Sequence, residues 1–417
     1  MKLLRNVRTF ESLGIKDYRL LWLGQLGTSM AQNMDQIARS WLIYSITRSP
    51  LQLGLVSAVR SAPLLVFGVF AGVVADRYSR KAQLIIAQTV NAFLEIVLAM
   101  LILTGHIQVW HIYVTGFFAG TVQAFQQPAR QVLISDLVGD NRLLNAIALN
   151  SVIQNLSRSV GPAICGVLIQ VFGVDVAYFS QGVLYALATV WTVQIRVPEI
   201  SISISRSISS VNQSISTSLK EGFAYIATHR LILALLVLGL APILLGMPYT
   251  SLMPIFAIEV FHGDAQTQGL LLTMVGIGAG LGALIIASLS HWQDNGKLLI
   301  GGAMGFALSL VLFSRSPVLT IAMASTFLVG LFNTSYASQN QTLLQTLTPQ
   351  ELRGRVLGIR LLDRGLMPLG SLLAGVLASL LGAPWAVTIM GTACFLCVIG
   401  VALSVPDLWK LNLVSGR

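Results

Sequence analysis

Charge is what this chain has least of. Only 10% of its 417 residues are Asp, Glu, Lys or Arg, against about 25% in a typical soluble domain. With 55% hydrophobic residues and a mean hydropathy of +0.77, that shortage excludes a water-soluble body and places the chain among membrane proteins. Cysteine is scarce as well. Cys165, Cys394 and Cys397 all lie in apolar stretches without a His or carboxylate neighbour. The pair Cys394-x-x-Cys397 is read as two small packing residues, so no metal or redox site and no cofactor is expected. No G-x-x-x-x-G-K-[ST] phosphate loop occurs, nor a soluble domain to hold one, which argues against an ATP-driven machine. Lys and Arg outnumber the acids 26 to 16, yet they are scattered between hydrophobic segments. They are read as topology determinants and not as a nucleic-acid surface.

What the chain does have is long apolar runs. At about 20 residues or a little more per span, they divide it into twelve. Six lie near Tyr18–Tyr44, Leu51–Ala75, Ala82–Leu103, Trp110–Leu133, Asn145–Val171 and Val174–Ile195. Six more lie near Leu231–Ile258, Gln268–Leu289, Leu298–Phe313, Val318–Leu344, Val356–Leu380 and Pro384–Val405. The expected organisation is a tail (1–17), a six-helix half (18–195), a central linker (196–230), a second six-helix half (231–405) and a short tail (406–417). The first span is too long for a signal-peptide core, so the basic tail before it should stay inside. In the linker, the interrupted Ser-Ile alternation from Ser201 to Ser216 has no partner strand, and an interfacial helix over Leu219–Thr228 is expected instead.

Counting cations tests the topology. With both termini inside, 20 Lys and Arg fall on the inner side, only Arg48 and Arg315 outside, and Arg39, Arg60, Arg158 and Arg364 within spans. That asymmetry predicts cytoplasmic termini. Offsetting the sequence by about 210 residues aligns Gln131 with Gln341, Leu137 with Leu347, Gly166 with Gly375 and Gly173 with Gly382. An even number of spans per half keeps both in one orientation, so the repeat is parallel, about an axis along the membrane normal. The expected fold class is an all-α membrane protein of twelve transmembrane helices in two parallel six-helix repeats.

The second span ends in Gly72-Val73-Val74-Ala75-Asp76-Arg77-Tyr78-Ser79-Arg80-Lys81, an acid followed by three cations at the membrane surface. One reading is a topology anchor. The stretch also resembles the loop signature G-x-L-a-D-R-x-G-R-K of the major facilitator superfamily, matched at Gly72, Asp76, Arg77, Arg80 and Lys81, with Ser79 where the family favours Gly. Pro128-Ala129-Arg130 followed by Leu133, Asp136 and Leu137, Gly161-Pro162 with Gly166, and Arg353-Gly354-Arg355-Val356 add to the likeness. The set is similar to the bacterial drug and siderophore exporters of that superfamily, which include macrolide efflux proteins and the enterobactin exporter. The resemblance implies the major facilitator fold and a conformational latch, in which Asp76 is held by the start of span eleven near Arg355 and by Arg130. It also raises a departure, because Thr115 and Gly116 stand in span four where many drug/proton antiporters carry Arg.

Buried charges in a bilayer are costly and therefore informative. In span one, Gln25, Ser29, Gln32, Gln36 and Arg39 recur at helical spacing, and Asp35 stands four residues before Arg39. The pair is either a neutralised structural contact or a proton site. Glu95, with Gln88 and Asn91 on its face, and Asp363 are the other proton candidates. Gln32, Gln36, Arg39, Arg60, Asn150, Gln154, Arg158, Asn333, Tyr336 and Gln339 are candidates to line the substrate cavity, since polar stripes on spanning helices face water or protein. Four Arg within spans against Asp35, Glu95 and Asp363 predict a mildly positive cavity that favours an anionic or polar ligand. Gly161-Pro162 is expected to break span five, and Pro242, Gly246, Pro248 and Pro254 to break span seven, with Gly161, Pro162 and Pro248 as hinges. In span eight, Gly276 with Gly280 and Gly278 with Gly282 should allow close helix packing.

Taken with the resemblance, these residues predict a monomeric exporter in a bacterial inner membrane. It would move a small amphipathic molecule by alternating access in exchange for protons, with no enzymatic step and no nucleic-acid partner. A siderophore or lysolipid exporter is the alternative within transport. A receptor or scaffold that keeps the fold without transport is the alternative of another class, and it predicts no substrate-dependent proton flux.

Overall fold

The computed structural model describes residues 10–197, 224–288 and 294–411. It contains twelve long helical segments among the described residues. In the first six-helix set, α1 is Lys16–Thr47, α2 Pro50–Arg77, α3 Arg80–Leu103, α4 Val109–Val138, α5 Asp140–Phe172 and α6 Val174–Val193. In the second, α7 spans Arg230–Val260, followed by α8 Ala265–Ser288, α9 Asn295–Ser314, α10 Leu319–Leu347, α11 Gln350–Leu381 and α12 Ala383–Ser404. Each expected span is present, and most of the helices overrun the apolar runs by a few residues where polar ends continue the hydrogen-bond ladder, while α6 stops two residues short of Ile195. Of the expected linker, residues 198–223 lie outside the described residues, and 224–228 are helical.

Ten of the twelve are long and apolar enough to cross a membrane. The two that fall short are α1 and α4, whose polar side chains Asp35, Arg39, Thr115, Gln126 and Arg130 are buried. Large hydrophobic residues such as Phe93, Leu103, Leu380 and Leu403 are exposed instead, the pattern of a protein whose outer solvent is lipid.

The parallel repeat is visible in the helix pairings and turns. α3 packs along α6, and six helices later α9 packs along α12. Gly173 joins α5 to α6 at φ 104° and ψ 166°, while its counterpart Gly382 joins α11 to α12 at φ 84° and ψ 155°. This region is open to glycine and closed to residues with a Cβ. A repeated turn conformation therefore explains why glycine recurs at the offset of the repeat.

By contact density the chain forms two units, Met1–Arg39 with Val66–Asn212, and Ser40–Leu65 with Gln213–Arg417. The divide falls inside α1 and α2. In the first unit, one core holds Tyr18, Leu21, Leu84, Leu133, Ile134, Val138, Ala146, Leu149 and Ile195. The Tyr18 hydroxyl donates to the Ala146 carbonyl at 2.9 Å, which ties the start of α1 to α5.

In the second unit α7 is irregular, as its prolines require. A π turn over Pro242–Gly246, a 3-10 turn over Met247–Leu252 and a second π turn over Phe256–Val260 interrupt it, since proline removes a donor and crowds the carbonyl four residues back. The expected break in α5 is absent. That helix runs on through Gly161-Pro162-Ala163, and the neighbouring α1 sits close enough that a Cβ at Gly161 would lie 3.0 Å from Asn33 Cβ. In α8, Gly278 and Gly282 face the α10 backbone, where a Cβ would run into the carbonyls of Phe327 and Leu331. Gly280 instead meets nothing within 4 Å, so only one of the two expected glycine pairs has both members against a neighbour.

Candidate functional site

The buried charges of the first unit converge. On α1, the four-residue spacing places Arg39 one turn beyond Asp35 on the same face. Arg39 Nε donates to Asp35 Oδ1 at 3.1 Å and Oδ2 at 3.3 Å, and its Nη2 makes a 2.9 Å ion contact with Oδ1. Nη1 donates to the Ile112 carbonyl at 3.0 Å and to Thr115 Oγ1 at 2.9 Å. Glu95 from α3 completes the cluster, with Oε1 4.0 Å from Arg39 Nη2. Arg39, Asp35 and Glu95 are 3%, 1% and 1% exposed, so the guanidinium is clamped between two acids out of solvent. α4 has no cation at Thr115, and there the guanidinium arrives from α1. Cys165 donates to the Met34 carbonyl at 3.2 Å, and Tyr178 of α6 interacts electrostatically with Arg39, Asp35, Glu95 and Cys165.

Arg130 forms a second buried centre. It is 3% exposed and donates from Nη2 to Thr28 Oγ1 at 3.0 Å. Asp35, Arg39, Glu95 and Arg130 are the buried charged residues among those described, two of each sign. Of the Arg residues counted within spans, Arg39 is buried, Arg60 half-buried and Arg158 exposed, and the side chain of Arg364 lies outside the described residues. Residue counting within spans cannot separate these settings, because it does not tell a helix face in the bundle from one that meets solvent.

The cations of the α2–α3 turn act on neighbouring helices. Arg80 pairs with Asp136 of α4. Lys81 donates to the carbonyls of Val193 and Ile195, both at 2.7 Å, capping the end of α6 where the helix leaves acceptors unsatisfied. Ser79, at the position where glycine was expected from the motif, caps α3 by accepting from the Ala82 amide at 3.4 Å. Arg77 is exposed. The side chains of Asp76, Arg355 and Asp363, and the surroundings of Gly72, lie outside the description.

The remaining candidates are spread over both units. On the first, Gln32 donates to Gln126 at 3.4 Å, Asn150 is half-buried, and Gln36, Gln154 and Arg158 are exposed. On the second, Asn333 donates to the Met247 sulfur at 3.7 Å. Tyr336 packs against Phe306 with ring centroids 5.7 Å apart. Gln339 and Pro248 are buried.

One contact escaped the sequence altogether. The Tyr44 hydroxyl donates to Glu259 of α7 within the second unit, close to where Gln268 donates to Ser40 Oγ at 2.9 Å. Glu259 sits just past the apolar run that marks α7. No local spacing links it to a tyrosine 215 positions away.

Comparison with known proteins agrees with this architecture. The chain is 27% identical over 399 residues to the staphyloferrin A transporter of Staphylococcus aureus (strain NCTC 8325 / PS 47), covering 94% of each chain. It is 24% identical to macrolide efflux protein A of Streptococcus pyogenes, covering 94% of this chain and 96% of that one. A crystal structure of a POT family transporter in complex with a thioalcohol-conjugated peptide superposes with a TM-score of 0.75 at 12% identity, over 96% of this chain and 99% of that one. The family model described as transmembrane secretion effector matches residues 7–416. The chain is thus a multi-pass membrane protein with the transporter fold of the major facilitator superfamily, and it belongs to the transmembrane secretion effector family.

Proposed function

We propose that this protein is a secondary exporter of a bacterial cytoplasmic membrane, moving a small amphipathic molecule outward by alternating access in exchange for protons. The observation that carries the reading is Arg39 clamped between Asp35 and Glu95 away from solvent. Such a cluster has two states that differ by one proton. With one acid protonated it is neutral, and with both ionised it carries one net negative charge. The cost of that charge depends on whether water reaches it, so proton occupancy and conformation are linked. Asp363 remains a third candidate.

The candidate lining supports an amphipathic substrate. Gln36, Gln154 and Arg158 are polar and exposed and Asn150 is half-buried, while Asn333 and Tyr336 lie beside Met247 and Phe306. The excess of cations on one side supports cytoplasmic termini. A single chain carries both halves and acts as a monomer. Asp76 latches the inner side against α11, with Pro248 in the irregular stretch of α7 absorbing the motion. A siderophore substrate is the second reading. It is favoured by Arg158, exposed within α5, and by the similarity to a transporter named for staphyloferrin A.

Proteoliposomes with an imposed pH gradient, offered a panel of drugs and siderophores, test the proposal. The wild type should export one class in a gradient-dependent way. Asp35→Asn and Glu95→Gln should each lower the gradient-driven component at least about tenfold while keeping substrate counterflow. Full gradient-driven transport by both variants would falsify the proton-site assignment. An Asp76→Asn variant with unchanged rate and unchanged inward/outward distribution would remove the latch.

A further inference from the structure

We propose that α1, α3, α4 and α6 of the first unit enclose a file of bound water leading away from the Asp35–Arg39–Glu95 cluster, and that Arg130 plugs this file against proton leak. The inference rests on the proton-antiport reading and adds a route and a barrier to it.

Three polar stripes, buried except at the half-buried Gln32, carry the file. On α1, Thr28, Gln32, Asp35 and Arg39 recur at intervals of four, three and four. On α3, Gln88, Asn91 and Glu95 recur at three and four, and on α6 Tyr178, Gln181 and Tyr185 do the same. Each set lies on one helix face. The faces are pressed together by small residues. A Cβ at Gly27 would lie 3.1 Å from the Leu184 carbonyl, and one at Gly182 would lie 3.4 Å from the Ala92 carbonyl and 2.7 Å from Ile96. Ala31, Ala92 and Tyr185 form one contact cluster. Gln181 therefore sits at the level of Glu95, between Tyr178 and Tyr185.

Along this seam, polar atoms are buried without a protein partner. Both amide atoms of Gln181, the Tyr178 hydroxyl, Gln88 Oε1, Gln126 Nε2 and Arg130 Nε are in this position, and Gln181, Tyr178 and Gln126 are fully buried. Buried polar groups are almost always satisfied by protein or by ordered water, and a site that offers several such groups is where water binds. The side chains are the right ones to hold a file, because amides and hydroxyls both donate and accept.

The two ends differ. Tyr178 lies within electrostatic reach of Arg39, Asp35, Glu95 and Cys165. Seven residues further along α6, Tyr185 interacts with Arg130. The separation is about 10 Å along the helix, the reach of three or four waters at about 2.8 Å spacing. A proton leaving the carboxyl group of Glu95 passes to the first water. It moves on by breaking one O–H bond and forming the next at each water, the amides orienting the waters without exchanging protons themselves. At the far end the fixed guanidinium of Arg130, tied to Thr28, opposes a hydronium ion as a like charge in a narrow path. The charged and titratable groups facing the file are thus Asp35 and Arg39 from α1, Glu95 from α3, Arg130 from α4, Cys165 from α5, and Tyr178 and Tyr185 from α6.

The test is proton leak through the full-length protein in proteoliposomes loaded with a pH-sensitive dye, without substrate. Wild type should hold the gradient, Arg130→Met should dissipate it at least about tenfold faster, and Arg130→Met with Gln181→Leu should hold it again. An Arg130→Met variant as tight as wild type, or a leak that ignores Gln181→Leu, overturns the proposal. Radiolytic labelling in oxygen-18 water supplies a readout that needs no Arg130 variant and no transport. Tyr178 should be labelled in wild type and several-fold less in Gln181→Leu, and an unlabelled wild-type Tyr178 overturns the file. If transport by the wild type ignores the pH gradient while Tyr178 is labelled, the antiport reading fails and the water site stands.

Discussion

The Asp35–Arg39 contact makes a quantitative prediction about stability. In Asp35→Leu, Arg39 stays buried and loses its 2.9 Å ion contact and both Nε hydrogen bonds. It retains Ile112, Thr115 and, at 4.0 Å, Glu95. Removing one partner of a buried pair costs about 3–5 kcal/mol, and the remaining counter-charge places this variant near the lower bound. Arg39→Met leaves two carboxylates facing each other with no cation and belongs near the upper bound. The double variant leaves Glu95 alone, which a single proton neutralises, so its cost should fall short of the sum by at least about 2 kcal/mol. Cys165, buried beside Met34, offers the probe. In a Cys394→Ala/Cys397→Ala background, its exposure during denaturant titration in detergent can be followed with a thiol-reactive dye. Costs that add to within about 0.5 kcal/mol, or a single-variant order with Asp35→Leu the worse, would refute the shared interaction.

Further substitutions test the packing. Gly278→Ala drives a Cβ into the Phe327 carbonyl and should cost about 2 kcal/mol or more. Gly280→Ala, with nothing within 4 Å, should be neutral or stabilising by up to about 1 kcal/mol, and thermal unfolding of the two variants compares them directly. Gly173→Ala and Gly382→Ala should each cost about 1–3 kcal/mol, since both turns use a backbone region almost confined to glycine; a silent result at either would undo the matched-turn argument. Lys81→Met removes the donor to the last carbonyls of α6. It should speed amide hydrogen exchange in the final turn of α6 while leaving the start of that helix unchanged. Tyr44→Phe should destabilise by about 1–3 kcal/mol through the loss of a hydrogen bond to a charged group, an effect that Glu259→Gln should weaken in the double variant.

The helices and their order were legible because the signal for a membrane span is a property of consecutive residues. A run of about 20 apolar residues needs no knowledge of its neighbours. Within a helix, spacing was equally informative. The interval from Asp35 to Arg39 placed both on one face, and the interrupted α7 followed from its prolines. Candidate polar residues were legible as stripes. What each stripe faces was not: the exposure of Arg158 and the place of Arg130 in the bundle against Thr28 depend on how the helices pack.

The sequence by itself determined that this is a membrane protein of twelve helices in two parallel repeats, down to the paired glycines at 173 and 382. Composition, run length and covalent offset are local or additive properties that survive without a fold. Tertiary structure alone decided that Glu95 joins Asp35 across Arg39, that Gly278 and Gly282 rather than Gly280 meet α10, that Lys81 caps α6, and that Tyr44 reaches Glu259. Each of these depends on which helix faces abut, and that is set by the packing of side chains far apart in the chain, where helical periodicity carries no information.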